Sequence, residues 1–195
     1  MSIAALGILI VAFCFRFTVG DTVVLPILPA CIGYFFIRKG IKVIKHENDT
    51  LALVYKIATI AMFATVGTLA VCLAGAESWA NPLYQAVKWI EVLTGLVIVY
   101  IIIEGIKGME DKYGYMMGSY DLRNMWTIIT VISAITEVAA YVDKIPMWVT
   151  AILLVIKLMF MIMFMQKYIE AAQLYDRRDA QGKMSEEENG PRFRL

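Results

Sequence analysis

Six long apolar segments constrain the fold of this chain more than any other feature of its sequence. They lie at about 2–19, 23–44, 51–74, 82–106, 122–142 and 147–172. A helix needs about 20 mostly apolar residues to cross a hydrocarbon core about 30 Å thick, and each segment approaches or exceeds that length. The sequence therefore predicts an all-α fold, a polytopic membrane bundle of six transmembrane helices within residues 1–172.

The composition supports a membrane protein and argues against several other classes. Apolar residues make up 60% of the chain and charged residues 18%, whereas soluble domains contain about 45–50% and about 25%. The net charge of +1 gives no reason to expect a nucleic-acid partner, so the lipid bilayer is the expected surrounding. Residues 173–195 are polar and mix both signs of charge, which predicts a disordered cytoplasmic tail.

Basic residues are divided unequally between the two sides of the predicted bundle. Fourteen of the 18 Lys and Arg residues fall in the second and fourth connections, in their flanks, or in the tail, and three fall on the other side. Because Lys and Arg concentrate on the cytoplasmic side of membranes, both termini are expected in the cytoplasm. Four tryptophans lie near predicted span ends, as interfacial aromatic residues do: Trp79, Trp89, Trp126 and Trp148.

Two parts of the chain resemble each other. Residues 34–42 and 99–107 both contain an apolar run followed by Gly-Ile-Lys, and a further apolar span follows each of them. This pattern fits a helical hairpin used twice in the same orientation, as in some transporters. The other interpretation is that membrane hairpins resemble one another because few residue types fill them.

The first quarter of the chain also carries a resemblance to a protein family. The matching residues are Phe15, Arg16, Phe17, Asp21, the stretch 27–34 with Leu28-Pro29 and Ile32-Gly33-Tyr34, and Gly40-Ile41. They resemble a motif of uncharacterised multi-pass membrane proteins of Gram-positive anaerobic bacteria, a family without an assigned activity. Pro26 and Ala30 stand where that motif has Asp. The resemblance implies a bacterial plasma membrane and adds no chemistry.

Three ionisable residues lie within predicted spans. They are Glu91, Glu137 and Lys157, at depths of about 13, 8 and 15 Å from the outer ends of spans four, five and six. A charge at mid-depth costs about 2.5–3.5 kcal/mol, so Lys157 is expected to pair with Glu137 or Glu91, or to face water. One interpretation is a polar site, open to the outside, for an ion, a proton or a small polar solute. The other is a charge pair that only fixes the helix register.

Other residues of interest lie around the first outer turn. Pro26 and Pro29 fall in the first turns of the second predicted span, where proline bends a helix and could create a moving element. Gly33 allows close helix packing in the same span. Arg16 and Asp21 flank the turn and are predicted to form a salt bridge there.

No sequence motif indicates catalysis, a metal or a cofactor. The chain has one His and lacks the zinc-protease, P-loop, nucleophile-elbow and dinucleotide motifs, so it is not expected to be an enzyme. The leading prediction is a small-solute or ion permease, whose short chain favours a homodimer. The alternative is a non-catalytic structural or regulatory membrane subunit that binds a protein partner. Cys14 and Cys72 lie near the outer ends of their spans and fit either a disulfide or two free thiols.

Overall fold

The computed structural model describes residues 2–12, 16–19, 23–26, 29–73, 82–139 and 146–188. These residues form six helices and one two-stranded hairpin, so the prediction of a helical fold is confirmed. In chain order the elements are α1 (Ser2–Ala12), β1 (Arg16–Val19), β2 (Val23–Pro26), α2 (Ala30–Ile44), α3 (Asp49–Leu73), α4 (Pro82–Tyr113), α5 (Ser119–Ala139) and α6 (Met147–Glu188).

Three of these helices are long and apolar enough to cross a membrane, which fits a membrane protein. The candidate spans are Asp49–Ala70 in α3, Trp89–Tyr113 in α4 and Ala151–Arg178 in α6. Helices α1 and α2 have only 11 and 15 residues, fewer than the about 20 that a complete crossing needs. Helix α5 begins with charged residues, which reduce its apolar character.

The first two predicted spans are wrong at their outer ends, because a β-hairpin replaces helix there. Strand β1 pairs antiparallel with β2, with Arg16 opposite Pro26 and Val19 opposite Val23. Strand β1 contains Phe, Thr and Val, and β2 contains two Val, residue types that fit a pleated strand better than a helix. Strand β2 also packs against α3.

The predicted proline kink in α2 is also wrong. Pro26 is the last residue of β2, and Pro29 is the residue directly before α2. Proline lacks an N–H and clashes with the preceding turn inside a helix, whereas the start of a helix accommodates it. The carbonyl of Pro29 accepts a 3.0 Å hydrogen bond from the amide of Ile32, and the helix begins there.

Helix α6 continues far beyond the predicted end of the sixth span. Residues 173–188 are helical, so the prediction of a disordered tail is wrong for them, and residues 189–195 lie outside the described part. Good helix formers such as Ala, Gln, Lys and Glu in this stretch explain the continuation. With 42 residues, α6 is about 63 Å long, twice the thickness of a hydrocarbon core.

The helices form two four-helix rings that share α1 and α4. Helix α1 packs against α2, α4 and α6, and each of the later helices packs against the next one along the chain. Helices α1 to α4 therefore make one ring, and α1, α4, α5 and α6 make the other. The shared helix α1 is the shortest of the six described helices, so it fills its central position over only part of the height of the bundle.

Helices α1 and α2 approach each other closely through glycines. A Cβ on Gly7 would lie 2.5 Å from the carbonyl oxygen of Gly33, and a Cβ on Gly40 would lie 2.6 Å from the amide nitrogen of Ala4. Small residues permit such backbone approach between membrane helices. Gly33, which the sequence singles out for close packing, lies at this contact.

The two Gly-Ile-Lys segments both lie at helix contacts. Gly40 of α2 faces Ala4 of α1, and a Cβ on Gly105 of α4 would lie 2.5 Å from Cδ2 of Leu51 in α3. Unrelated helix pairs also use glycine in this way. The repeated hairpin therefore stays a hypothesis.

Candidate functional site

The three ionisable residues of the predicted site lie on three consecutive helices, each of which packs against the next. Glu91 is in α4, Glu137 in α5 and Lys157 in α6, and α5 packs against both of the others. Glu91 and Lys157 are partly buried, and the side chain of Glu137 lies outside the described part of the structure. Their relative heights follow from contacts at one end of the bundle.

We call this end, which carries Glu47, Asn48 and Gly105, the Glu47 end. Asn48 Nδ2 donates a 2.9 Å hydrogen bond to the carbonyl of Gly105, and the Tyr175 hydroxyl donates a 2.8 Å hydrogen bond to Glu47 Oε1. Glu91 precedes Gly105 by 14 residues, which places it about 21 Å further along α4. Lys157 precedes Tyr175 by 18 residues, a rise of about 27 Å.

Glu137 reaches a similar height along α5. The amide of Ser119 donates a 3.0 Å hydrogen bond to Glu110 Oε1, which fixes the start of α5 beside Glu110. Glu110 lies about 8 Å from Gly105 along α4, on the side away from Glu91. Glu137 follows Ser119 by 18 residues, a rise of about 27 Å towards the height of Glu91. Because α5 starts about 8 Å on the other side of Gly105, Glu137 lies about 20 Å from the level of Gly105. The backbones of the three residues thus fall in one layer, about 20–27 Å from the Glu47 end, which we call the charged layer. Pairing between their side chains stays a prediction.

The charged layer lies just beyond the end of α1. A Cβ on Gly95 of α4 would lie 2.6 Å from Cγ1 of Val11, so the last turn of α1 reaches α4 at Gly95. Glu91 is one helical turn further along. Its carbonyl accepts a 3.5 Å hydrogen bond from the hydroxyl of Tyr34 in α2. Ile44 ends α2 three residues before Glu47, and the first residue of α2 lies about 21 Å from it. Both short helices therefore stop near the charged layer, and the hairpin connects them beyond it.

Several predicted contacts lie outside the described residues. Arg16 begins β1, but neither its side chain nor any part of Asp21 is described, so their salt bridge stays a prediction. The same holds for a disulfide between Cys14 and Cys72. Cys31, in the first turn of α2, is a free and partly buried thiol.

Sequence reasoning missed a polar cluster around Glu47, which lies in the loop between α2 and α3. The Glu47 side chain is only 8% exposed, and Lys112 Nζ lies 3.0 Å from its Oε2. The hydroxyl of Tyr113 also donates to Oε2, and the hydroxyl of Tyr175 donates to Oε1. His46 Nε2 lies 3.5 Å from Oε1. One carboxylate therefore joins this loop to α4 and to α6.

The electrostatics of the Glu47 cluster favour a permanent charge. Burial by itself raises the pKa of Glu47, because desolvation disfavours the carboxylate. The hydrogen bonds from Tyr113, Lys112 and Tyr175 outweigh burial and lower the pKa from 4.5 to about 2. The guanidinium of Arg178 lies 3.2 Å from the centroid of the Tyr113 ring and adds a cation–π contact. Both carboxylate oxygens accept donors, so the cluster is suited to holding segments together.

Comparisons with known proteins give no match for this chain. No family model matches it, and no curated protein or solved structure is significantly similar to it. The family resemblance around residues 15–41 stays a prediction.

Proposed function

We propose that this chain is a multi-pass permease of the bacterial plasma membrane that passes an ion or a small polar solute between α4, α5 and α6. In this proposal both termini and the Glu47 end face the cytoplasm. The concentration of Lys and Arg in the connections at that end supports the orientation. The three long apolar helices support the location in a membrane.

The chain can cross the membrane six times only if the two strands of the hairpin extend α1 and α2 to the length of a full span. Helix α1 is about 16 Å long, and four strand residues add about 13 Å, which together approach a hydrocarbon core of about 30 Å. Strand β2 with α2 gives a second crossing of similar length. The hairpin then lies in the outer half of the bilayer.

The observation that carries the proposal is the coincidence of the charged layer with the outer ends of α1 and α2. Non-helical backbone at membrane depth is tolerated only where protein buries it or where it lines a water-filled cavity. Transporter sites form where membrane helices are discontinuous, and ionisable residues within spans mark solute pathways. In this proposal an outward-facing polar cavity lies beyond the Val11 end of α1. Such a cavity would accommodate both the non-helical backbone of the hairpin and the ionisable residues of the charged layer.

The formal charges at the height of this layer balance one another. Glu91 and Glu137 each bring a carboxylate, and Lys157 brings one ammonium group. These three groups sum to one negative charge when ionised, and Lys88, whose backbone lies about 26 Å from Gly105 in α4, balances it. The charge count therefore does not favour a cation over an anion, and the proposal covers an ion, a proton or a small polar solute.

Transport is tested with purified protein in liposomes, using protons, sodium, potassium and two neutral polar solutes as probes. We expect at least one probe to cross faster than in protein-free vesicles. Lys157→Met is expected to abolish most of this flux. Leu158→Met is the matched control, since Leu158 is adjacent and 45% exposed. Equal flux through both variants, or no flux of any probe, contradicts the proposal.

A second candidate function is a structural or regulatory membrane subunit, and the length of α6 favours it. Glu188 lies 13 residues beyond Tyr175, so α6 extends about 20 Å past the Glu47 cluster. A projecting charged helix is suited to binding a protein partner or a second copy of this chain. A subunit of this kind gives no flux in liposomes, and removal of residues 179–195 abolishes its association with the partner in cells.

A further inference from the structure

A small pocket between α4 and α5 lies near the Glu47 end of the bundle. It has a volume of about 60 Å³ and is lined by Ile103, Glu104, Lys107, Ser119, Tyr120 and Arg123. Ile103, Glu104 and Lys107 lie within about one turn of α4, and the other three come from the first turns of α5. The pocket is separate from the charged layer, which lies about four turns further along α4.

The pocket combines two cations and one carboxylate with a well-fixed wall. Arg123 Nη1 lies 3.8 Å from Glu104 Oε1, a long contact between side chains that are 42% and 31% exposed. Lys107 is exposed at the same rim. Ser119 is fixed because its amide and its hydroxyl both donate to the carboxylate of Glu110. Arginine presents a planar fork of donors that matches two phosphate oxygens, and Lys107 adds a point charge.

An exposed face of α5 runs away from the mouth of this pocket and forms an apolar stripe from Ile128 onward. Tyr120 is 66% exposed at the rim. The exposed polar residues Asn124 and Thr127 follow on the same face, and Ile128, Val131 and Ile135 continue it with exposures of 39%, 52% and 49%. Steps of eight, three and four residues from Tyr120 place these apolar residues on one face of the helix. A molecule with a phosphate head and an apolar chain matches both features.

We infer that the pocket between α4 and α5 binds the headgroup phosphate of an anionic phospholipid, with Arg123 and Lys107 as its ligands. Basic pockets between membrane helices on the cytoplasmic side bind such headgroups. The acyl chain lies along the exposed stripe of α5, and Ile103, which is only 1% exposed, forms the apolar side of the pocket. The inference rests on the proposed membrane location and is independent of transport.

The test measures bound lipid by native mass spectrometry after the detergent-solubilised protein is mixed with equal amounts of phosphatidylglycerol and phosphatidylcholine. Wild-type protein is expected to retain phosphatidylglycerol preferentially. Lys107→Gln and Arg123→Gln should each reduce that preference about fivefold, as expected when one basic contact is lost. Arg123→Lys should reduce it less than Arg123→Gln, because it keeps the charge and loses the fork.

A double variant, Lys39→Gln with Lys42→Gln, is the matched control, since it removes two exposed cations of α2 at the same end. It should keep the preference for phosphatidylglycerol. An equal loss in this control would overturn the inference, because binding would then follow net charge alone. Displacement of the lipid by millimolar inorganic phosphate would also overturn it, since a soluble phosphate would then be the ligand. Unchanged thermal midpoints confirm that each variant is folded, and Lys107→Gln serves alone if Arg123→Gln does not fold.

Discussion

The hydroxyl of Tyr175 donates a 2.8 Å hydrogen bond to Oε1 of Glu47, which lies 128 positions earlier in the chain. The other oxygen of the same carboxylate binds Lys112 and Tyr113 at the end of α4. A single side chain thereby joins the loop between α2 and α3 to two later helices. The stability of the Glu47 end should depend on this carboxylate more than on exposed ion pairs nearby.

Glu47→Gln is expected to lower the free energy of unfolding by about 1–3 kcal/mol, because charge-assisted hydrogen bonds are replaced by weaker neutral ones. Denaturant unfolding in detergent measures this change. Glu170→Gln is the control, since its bond to Lys167 joins side chains that are 59% and 41% exposed. Exposed pairs of this kind contribute about 0–1 kcal/mol. Equal losses in the two variants would show that the cluster has no special role.

The lowered pKa of Glu47, about 2, predicts a specific acid sensitivity. Since the folded-state pKa lies below the ordinary 4.5, the unfolded chain binds a proton first as the pH falls. The stabilisation is complete above about pH 4.5 and is lost as the pH falls towards about 2, with a total of at most about 3 kcal/mol. Unfolding measured across this range should show the loss in the wild type and not in Glu47→Gln. Parallel pH profiles for the two proteins would contradict the prediction.

Gly7→Ala should destabilise the contact between α1 and α2, because the new methyl group would lie 2.5 Å from the carbonyl oxygen of Gly33. Overpacking of this kind costs about 1–3 kcal/mol. Gly67→Ala in α3 is the matched control, since no atom lies within 4 Å of its added Cβ. Helix propensity predicts a gain of up to about 1 kcal/mol for that control. Thermal unfolding should show opposite shifts, and two gains in stability would contradict the close approach.

Tyr168→Phe should stabilise the protein. The Tyr168 hydroxyl is fully buried and has no hydrogen-bond partner among the described residues. Removing a buried polar group without a partner relieves a desolvation cost of about 1–3 kcal/mol. Tyr175→Phe, two turns along the same helix, should instead destabilise, because it removes the bond to Glu47. Thermal midpoints check both changes, and a lower midpoint for Tyr168→Phe would contradict the first.

The number of helices could be predicted from the apolar runs, but several of their ends could not. Helix α4 ends at Tyr113 rather than near 106, and two glycines with positive φ, Gly114 and Gly118, bound the loop before α5. Counting apolar residues ignores such stop signals, which this sequence contains. The hairpin was missed for another reason. A short apolar run has the same composition in a strand and in a buried helix.

The Glu47 cluster could not be predicted, because its partners come from distant parts of the chain and follow no local pattern. Asn48, by contrast, had a recognisable signal, since Asn is a preferred helix cap and its Oδ1 accepts the amide of Leu51 at 2.8 Å. The sequence predicts Trp126 near a span end, and the structure packs it inside the bundle. It is 3% exposed, and its indole donates a 3.1 Å bond to the carbonyl of Leu96. An indole ring suits a membrane interface and a core position in which its N–H has a hydrogen-bond acceptor equally well.

The most direct test of the central claim is the exposure of position 157 to water from outside the cell. Lys157→Cys and Leu158→Cys are made in a background that carries serine at the three native cysteines. A charged, membrane-impermeant thiol reagent is then added to intact cells. Because thiolates form only in contact with water, an outward-facing cavity predicts much faster labelling at 157 than at 158. Equal labelling rates, or no labelling at 157, would contradict the account.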